Sequence, residues 1–252
     1  MEKKKSLMYG FVDECTSPVG GNYADSIGEV IVGRRPLCIN DCAYCWATEI
    51  KENHPEWQKY RGHYRLEASA LKEYPDEAFV FLQDMGDIGD PLIPIEVIKS
   101  IFGYIASHPK VTYLLLTKCP EFYLRHVEDL KRLPNIIYGV TIETNRFITS
   151  KISKAPPPSW RFSAMKRLRH MTRDPRILVS VEPVMEFDMD SFEASIVELK
   201  PWKVACGFDN HPGNHPDVKL PEPKLEKVLE LIRRLEARGI DVHRKTLREA
   251  KE

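Results

Sequence analysis

Short apolar runs that alternate with longer amphipathic stretches constrain the fold of this 252-residue chain more than any other feature. The runs span residues 79–83, 111–117, 136–141, 177–181, 203–207 and 240–243. Continuous apolar runs rich in β-branched and aromatic residues are typical of parallel strands buried on both faces. A further candidate strand, residues 29–33, precedes them. The pattern therefore predicts a parallel sheet of six to seven strands.

Helical patterns separate these runs. Apolar residues recur at three- and four-residue steps in residues 94–107, 120–132, 159–171, 189–199 and 221–238, and a further helix is predicted over residues 43–53. Repeated strand–helix units favour right-handed βαβ crossovers. We therefore expect an α/β fold, a partial or near-complete (βα) TIM-like barrel. An open Rossmann-like sheet would give the same local pattern, but no G-x-G-x-x-G follows the first strand.

The length fits a single domain spanning residues 1–252. Three segments depart from the strand–helix rhythm, and the shortest, residues 151–159, contains a Pro-Pro-Pro run and is expected to form a stiff loop. Residues 1–27 contain Gly, Pro and Ser and are expected to form an N-terminal lead-in or cap. Residues 52–76 carry aromatic residues among charged ones and are expected to form a partly helical insertion.

Charge and hydropathy patterns bear on location and partners. Lys+Arg and Asp+Glu balance at 37 each, so net charge gives no reason to expect nucleic acid or membrane binding. No signal peptide or transmembrane run is evident, and we expect a cytoplasmic protein, where clustered cysteines bind metals. A local basic surface that binds nucleic acid remains an alternative, formed by Arg161, Lys166, Arg167, Arg169 and Arg173, although a solvated helix face explains them as well.

Three cysteines lie within eight residues. Cys38, Cys42 and Cys45 have a C-x3-C-x2-C spacing, so their thiolates can converge on one metal centre. A structural zinc site takes four ligands, and a [4Fe–4S] cluster normally takes four thiolates. A cluster held by three thiolates keeps one iron open to another ligand. A zinc site with a distant fourth ligand, or a disulfide with a spare thiol, remains an alternative.

The spacing, with Tyr44 and Trp46 flanking the third cysteine, resembles the cluster motif of the radical S-adenosylmethionine (SAM) superfamily. The resemblance implies a partial barrel in which the open iron of a [4Fe–4S] cluster binds SAM. It further implies reductive cleavage of SAM to a 5′-deoxyadenosyl radical, and an electron donor such as ferredoxin or flavodoxin. The substrate is not implied.

Polar residues follow several of the predicted strands, at the edge where parallel α/β folds place their chemistry. Met85-Gly86-Asp87 occupies the place of the family's Gly-Gly-Glu-type loop, which contacts the methionine amino group of SAM; an ordinary acidic turn is the alternative. After residues 136–141, the resemblance implies contacts to the ribose and carboxylate of SAM, for which the candidates are Thr141, Glu143 and Arg146. A local salt bridge is the alternative for Glu143 and Arg146.

Lys118 and Glu182 are the candidate catalytic residues. Lys118 follows the strand at 111–117, where it could bind an anion or donate a proton. Glu182 follows the strand at 177–181 and is expected to face substrate or SAM. Two histidines, His211 and His215, lie in a Pro- and Gly-containing segment that is expected to be a substrate loop rather than a metal site. The remaining cysteines have no partner at ligand spacing: Cys15, Cys119 and Cys206.

Four motifs occur in order: FVFLQDMGD, LLLTKCPE, YGVTIET and VSVEPV. In this order the chain is similar to the phage Gp37/Gp68-type radical SAM-like proteins, a family of unknown function. The similarity covers about residues 33–245. It implies a radical SAM enzyme without naming a substrate.

Overall fold

The computed structural model of the protein describes residues 9–28, 36–45, 47, 55–211 and 217–250. The strand predicted at residues 29–33, most of the helix predicted over residues 43–53, Trp46 and His215 lie outside the described residues.

Nine strands are described. They are β1 (Glu14–Thr16), β2 (Val19–Gly20), β3 (Arg65–Leu66), β4 (Phe79–Leu82), β5 (Thr112–Thr117), β6 (Ile136–Thr141), β7 (Ile177–Val181), β8 (Lys203–Cys206) and β9 (Val242–Arg244). Seven of them form one parallel sheet in the order β1-β4-β5-β6-β7-β8-β9. This sheet curls into a half-barrel, which confirms the predicted α/β partial barrel.

The N-terminal part of the chain differs from the expectation. Residues 1–27 were expected to be a lead-in or cap, yet β1 pairs in parallel with β4 and forms the first strand of the sheet. Its three residues are too few to produce a recognisable apolar pattern. Within the expected insertion at residues 52–76, β3 pairs antiparallel with β2, and 3-10 helices span Pro55–Tyr60 and Ala68–Ala70.

Seven α-helices are described: α1 (Tyr23–Ile27), α2 (Ile95–Ser107), α3 (Glu121–Arg125), α4 (Val127–Leu130), α5 (Pro158–Met171), α6 (Met189–Glu198) and α7 (Leu225–Ala237). The helix predicted over residues 120–132 is in fact two short helices, α3 and α4, which meet at His126. The longer helices bury their apolar face against the outside of the sheet. For α2 this face is Val97, Ile98, Ile101, Phe102 and Ile105. Burying such a face is the main source of helix stability in a fold of this kind.

A separate apolar cluster lies on the inner face of the half-barrel. It consists of Tyr9, Val12, Phe81, Leu114, Ile137, Leu178 and Ala205. The strand residues alternate with those that face the helices, as the two-residue period of a β-strand requires. Beside them, Phe11 contacts Phe79 of β4 and His243 of β9, so the N-terminal segment packs against both sides of the half-barrel. The packing leaves open space at the carboxyl ends of the strands.

No helix within the described part of the chain is long and apolar enough to cross a lipid bilayer.

Candidate active site

A cavity of about 580 Å³ lies at the carboxyl ends of the strands. Its wall includes Thr117 and Thr141 at the ends of β5 and β6, and Glu182, Asp209 and Lys245 beyond β7, β8 and β9. The cysteine segment, residues 36–45, forms another part of the wall. The volume lies within the range of about 300–1,000 Å³ that small-molecule sites occupy.

Cys38, Cys42 and Cys45 all line this cavity. Two turns fold the segment: the Asp41 amide donates to the Cys38 carbonyl at 3.2 Å, and the Cys45 amide donates to the Cys42 carbonyl at 3.0 Å. Residue Asp41 accordingly adopts a left-handed φ of 38°. The described residues include all six cysteines, and none of them forms a disulfide. The disulfide alternative is therefore not supported.

Among the described residues, no three Cys, His, Asp or Glu side chains are grouped closely enough to hold one metal ion. A zinc site requires its ligands about 2.0–2.3 Å from one ion. A [4Fe–4S] cluster binds each thiolate through a different iron, so its cysteines need not converge on one point.

Asp87 anchors the cysteine segment. Its Oδ2 accepts hydrogen bonds from Asn40 Nδ2 at 2.6 Å and from the Lys118 amide at 2.8 Å. Its Oδ1 accepts from the Gly89 amide at 2.8 Å and from the Thr117 hydroxyl. The contact with SAM that we expect for this residue stays a prediction: Asp87 lines the cavity, and its buried carboxylate accepts from four donors within the protein. Its side chain joins the cysteine segment to the loops after β4 and β5.

The other two residues of the 85–87 loop lie differently. Gly86 lines the cavity and has a φ of 97°, a conformation that favours glycine. Met85 does not line this cavity; it is buried against Leu37, Ala47 and Tyr60. Of the loop, Gly86 and Asp87 therefore line the cavity, whereas Met85 packs against Leu37 in the segment that carries the cysteines.

The sequence patterns did not reveal other residues that hold the cysteine segment. Asp90 Oδ2 accepts from the Ile39 amide and from the Tyr64 hydroxyl, both at 2.8 Å. Ser153 Oγ lies 3.1 Å from the thiol of Cys42. In the sequence, these contacts are indicated only by the acidic residues that follow β4. A cluster of acidic residues does not indicate which partner each carboxylate binds.

Glu143 lies at the centre of a buried polar network beneath the cavity. Its side chain has no exposed surface and accepts from three groups. The Tyr44 hydroxyl donates to Oε1 at 2.5 Å, and Lys118 Nζ lies 2.7 Å from the same oxygen. Arg161 Nη1 donates to Oε2 at 2.6 Å and also to the Thr141 carbonyl at 2.8 Å. The network brings together three of the predicted site residues: Lys118, Thr141 and Glu143.

The charges in this network stabilise one another. Burial alone would raise the pKa of Glu143, but Arg161 and Lys118 hold it well below its usual range. Burial opposes the charge on Lys118, yet the Glu143 carboxylate raises the pKa of the ammonium above its usual value. All three groups are therefore charged at neutral pH.

Arg146, expected to contact SAM, does not line the cavity. Its side chain is exposed and pairs with Asp188, with Nη2 2.5 Å from Oδ1. This is the local salt bridge that the sequence left open as the alternative.

Most of the residues that the nucleic-acid alternative groups into a basic surface pair with carboxylates. Arg161 is buried against Glu143 rather than exposed. Three others each pair with a carboxylate: Lys166 with Glu198, Arg167 with Glu121, and Arg169 with Asp174. These contacts weaken the nucleic-acid alternative, because a phosphate-binding surface needs cations that are available to phosphate.

Glu182 and Lys245 form a second buried pair in the cavity wall, with 2.7 Å between Lys245 Nζ and Glu182 Oε1. Lys245 Nζ also lies 4.7 Å from the centre of the Tyr9 ring, whose hydroxyl donates to Ser180. Burial raises the pKa of Glu182, although Lys245 opposes this shift. His211 lines the same side of the cavity. Sequence patterns did not identify Lys245, because it lies in a short C-terminal strand–loop with no distinctive motif.

The spare cysteines occupy three different environments. Cys15 lines the cavity from β1. The thiol of Cys119 donates to Asn40 Oδ1 at 3.2 Å. Cys206 is buried in the apolar cluster between sheet and helices.

Sequence comparison assigns the chain to a family. The model of a family described as "Protein of unknown function (DUF5131)" matches residues 29–196. The chain belongs to this family. No curated protein matches the sequence significantly. The finer resemblance to the phage Gp37/Gp68-type proteins is not confirmed by these comparisons.

Solved structures show the same fold as this family member. A variant of spore photoproduct lyase with bound AdoMet and dinucleoside spore photoproduct has a TM-score of 0.59 at 12% identity, over 96% of this chain and 79% of that one. SuiB of Streptococcus suis bound to its precursor peptide SuiA has a TM-score of 0.57 at 10% identity, over 93% of this chain and 49% of that one. Both are radical SAM enzymes. At such low identity the likeness shows the fold alone, the partial barrel of radical SAM enzymes.

Proposed function

We propose that this protein is a radical SAM enzyme. The observation that carries the proposal is the position of Cys38, Cys42 and Cys45. They have the superfamily's C-x3-C-x2-C spacing, and all three face one cavity at the carboxyl ends of a radical SAM-type half-barrel. A three-thiolate site in a cavity large enough for a cofactor and a small substrate is what this chemistry requires.

In this proposal the three cysteines hold a [4Fe–4S] cluster whose fourth iron is open to SAM. When bound, the cluster would supply the electron that cleaves SAM reductively to a 5′-deoxyadenosyl radical. Gly86 and Thr141 both line the space proposed for SAM. Gly86 would contact SAM through its backbone, and Thr141 lies at the end of β6. Arg146 would have to leave Asp188 to reach this space.

The side of the cavity beyond β7, β8 and β9 is the proposed substrate side. Glu182 and Lys245 there present a carboxylate and an ammonium that are mostly shielded from water. Lys118 is held by Glu143 on the side of the cysteines. Both candidate catalytic residues, Lys118 and Glu182, are thus fixed by ion pairs before any ligand binds. An electron donor such as ferredoxin or flavodoxin completes the proposal.

The test is anaerobic purification, or reconstitution with iron and sulfide, followed by absorbance, iron and sulfide measurement. We expect a brown protein with one [4Fe–4S] cluster that releases 5′-deoxyadenosine from SAM when dithionite is added. Cys45→Ala should lose both properties. Cys206→Ala, which changes a cysteine outside the cavity wall, is the matched control and should keep them. Stoichiometric zinc without sulfide after reconstitution would contradict the proposal.

A further inference from the structure

The buried network beneath the cysteines contains more positive than negative charge. One carboxylate, Glu143, contacts two cations, Lys118 and Arg161, and the remaining partner is the neutral hydroxyl of Tyr44. The side chains of Glu143 and Arg161 are fully buried, and that of Lys118 is only 15% exposed. Among the described residues, Arg161 Nη2 also has no hydrogen-bond partner.

An excess of buried charge is costly, since a low-dielectric interior does not replace the lost hydration. One cation would be enough to neutralise Glu143. Arg161 alone already supplies a charged hydrogen bond to it at 2.6 Å. The second cation, Lys118, therefore needs an explanation other than neutralising Glu143.

The position of Lys118 provides that explanation. It lines the cavity together with the three cysteines, and its Nζ lies 5.2 Å from the centre of the ring of Tyr44, which stands between Cys42 and Cys45 in the sequence. Tyr44 and Lys118 both contact Oε1 of Glu143, so the ammonium is fixed beside the segment that carries the cysteines.

We propose that Lys118, held in place by Glu143, raises the reduction potential of the cluster bound by Cys38, Cys42 and Cys45. The inference rests on the proposed function. Reduction adds one negative charge to a cluster, and cluster potentials respond to net charge and burial. A fixed cation in a partly buried site favours the reduced state, because its attraction for that extra electron is poorly screened.

The experiment is an anaerobic redox titration of the reconstituted protein, followed by absorbance and electron paramagnetic resonance in the absence of SAM. Lys118→Met removes the cation and leaves Arg161 and Glu143 as a one-to-one pair, so the fold should tolerate it. We expect the variant to be about tenfold harder to reduce, which for one electron corresponds to a shift of about 59 mV to more negative potential. Lys118→Arg keeps the charge and should restore the wild-type potential.

Lys227→Met is the matched control. Lys227 also pairs with a glutamate, Glu186, and lies 4.9 Å from the centre of an aromatic ring, that of Phe187, but it does not line the cavity. Its removal should leave the potential unchanged. If Lys118→Met is poorly soluble, Lys118→Gln makes the same change in charge with a side chain that can still hydrogen-bond to Glu143.

The outcomes separate the inference from the proposed function. A wild-type protein that binds no cluster overturns the proposed function and the inference with it. A wild-type cluster together with an unchanged potential in both neutral Lys118 variants overturns the inference and leaves the proposed function standing. An equal shift in Lys227→Met would also overturn it, because the effect would then not depend on position.

Discussion

The Nδ2 atom of Asn40 donates to Oδ2 of Asp87 at 2.6 Å, joining the cysteine segment to the loop after β4 across 47 residues of sequence. Asn40 lies between the first and second clustered cysteines, and Asp87 is at the same time bonded to residues at the end of β5. The cysteine segment is therefore positioned by the sheet and not by its own turns alone.

Asp87→Asn should destabilise the protein and loosen the cysteine segment. A carboxamide has one oxygen acceptor and introduces an NH2 donor, so some of the four donors around Asp87 lose their partner. Each buried donor left unpaired costs about 1–3 kcal/mol. Urea unfolding and the iron content after reconstitution measure the two effects. Asp76→Asn, which breaks an exposed pair with Lys110, is the control and should change stability by less than about 1 kcal/mol. Equal stability of both variants would contradict the anchoring role.

Glu143→Gln should be among the most destabilising single substitutions. It leaves Lys118 and Arg161 buried without a carboxylate, and breaking a buried pair in this way costs about 3–5 kcal/mol. The measurement is urea unfolding of the cluster-free protein at neutral pH. Glu121→Gln is the control, because Glu121 pairs with Arg167 at the surface, where both side chains are more than half exposed. A similar loss of unfolding free energy in both variants would show that the buried network stabilises the fold no more than a surface ion pair does.

Acid should remove the advantage that Glu143 gives the wild type. The pKa of this carboxyl is lowered in the folded state, so its contribution is present above the ordinary glutamate value of 4.5 and is lost as pH falls towards the lower folded value. The difference in unfolding free energy between wild type and Glu143→Gln should therefore be largest near neutral pH and narrow below about pH 4.5. Urea titrations over this range test the sign. A difference that grows in acid would contradict it.

Gly86→Val should weaken SAM binding while the cluster is retained. Gly86 has a φ of 97° and lines the cavity, and a Cβ there would lie 3.3 Å from Gln83 Nε2, so a β-branched side chain would strain this loop and shift it in the cavity wall. Calorimetry with SAM, together with iron content, separates the two effects. Gly103→Ala is the control, because Gly103 lies in α2 with open space around it. Wild-type affinity for SAM in Gly86→Val would mean that the cofactor lies elsewhere.

The spare cysteines should not be needed for the cluster. Cys119→Ala is the most demanding case, because its thiol contacts Asn40 in the cysteine segment. We expect this variant and Cys15→Ala to bind as much iron as wild type, whereas Cys42→Ala should lose most of it. Iron and sulfide per protein chain are the measurement. A comparable loss from either spare cysteine would point to a fourth protein ligand.

The fold class could be predicted from local patterns because its strands are buried on both faces. A run such as residues 113–116 is continuously apolar, and the helix after residue 94 repeats its apolar residues at helical spacing. Elements without such patterns were missed. The three-residue β1 is too short to show a period, and it belongs to the sheet only because it pairs with β4.

The site was predictable where spacing along the chain determines proximity. The three cysteines lie within eight residues, so their approach to one cavity needs only local turns. Residues that follow parallel strands also meet at one edge, and Lys118 and Glu143, which follow the neighbouring strands β5 and β6, are in contact there. The direction of each side chain was less predictable: Arg146 follows the same strand as Glu143 but points to Asp188 at the surface.

The sequence by itself thus determined the strand–helix alternation, the cluster of thiols and the set of polar strand-end residues. Only the tertiary structure decided which of those residues are buried and which partner each one binds. It placed Arg161 under Glu143 rather than on a basic surface, and it paired Glu182 with Lys245 across 63 residues of sequence. The reason is physical: burial decides whether a charge needs a partner, and burial depends on packing between elements far apart in the chain, which no local pattern encodes.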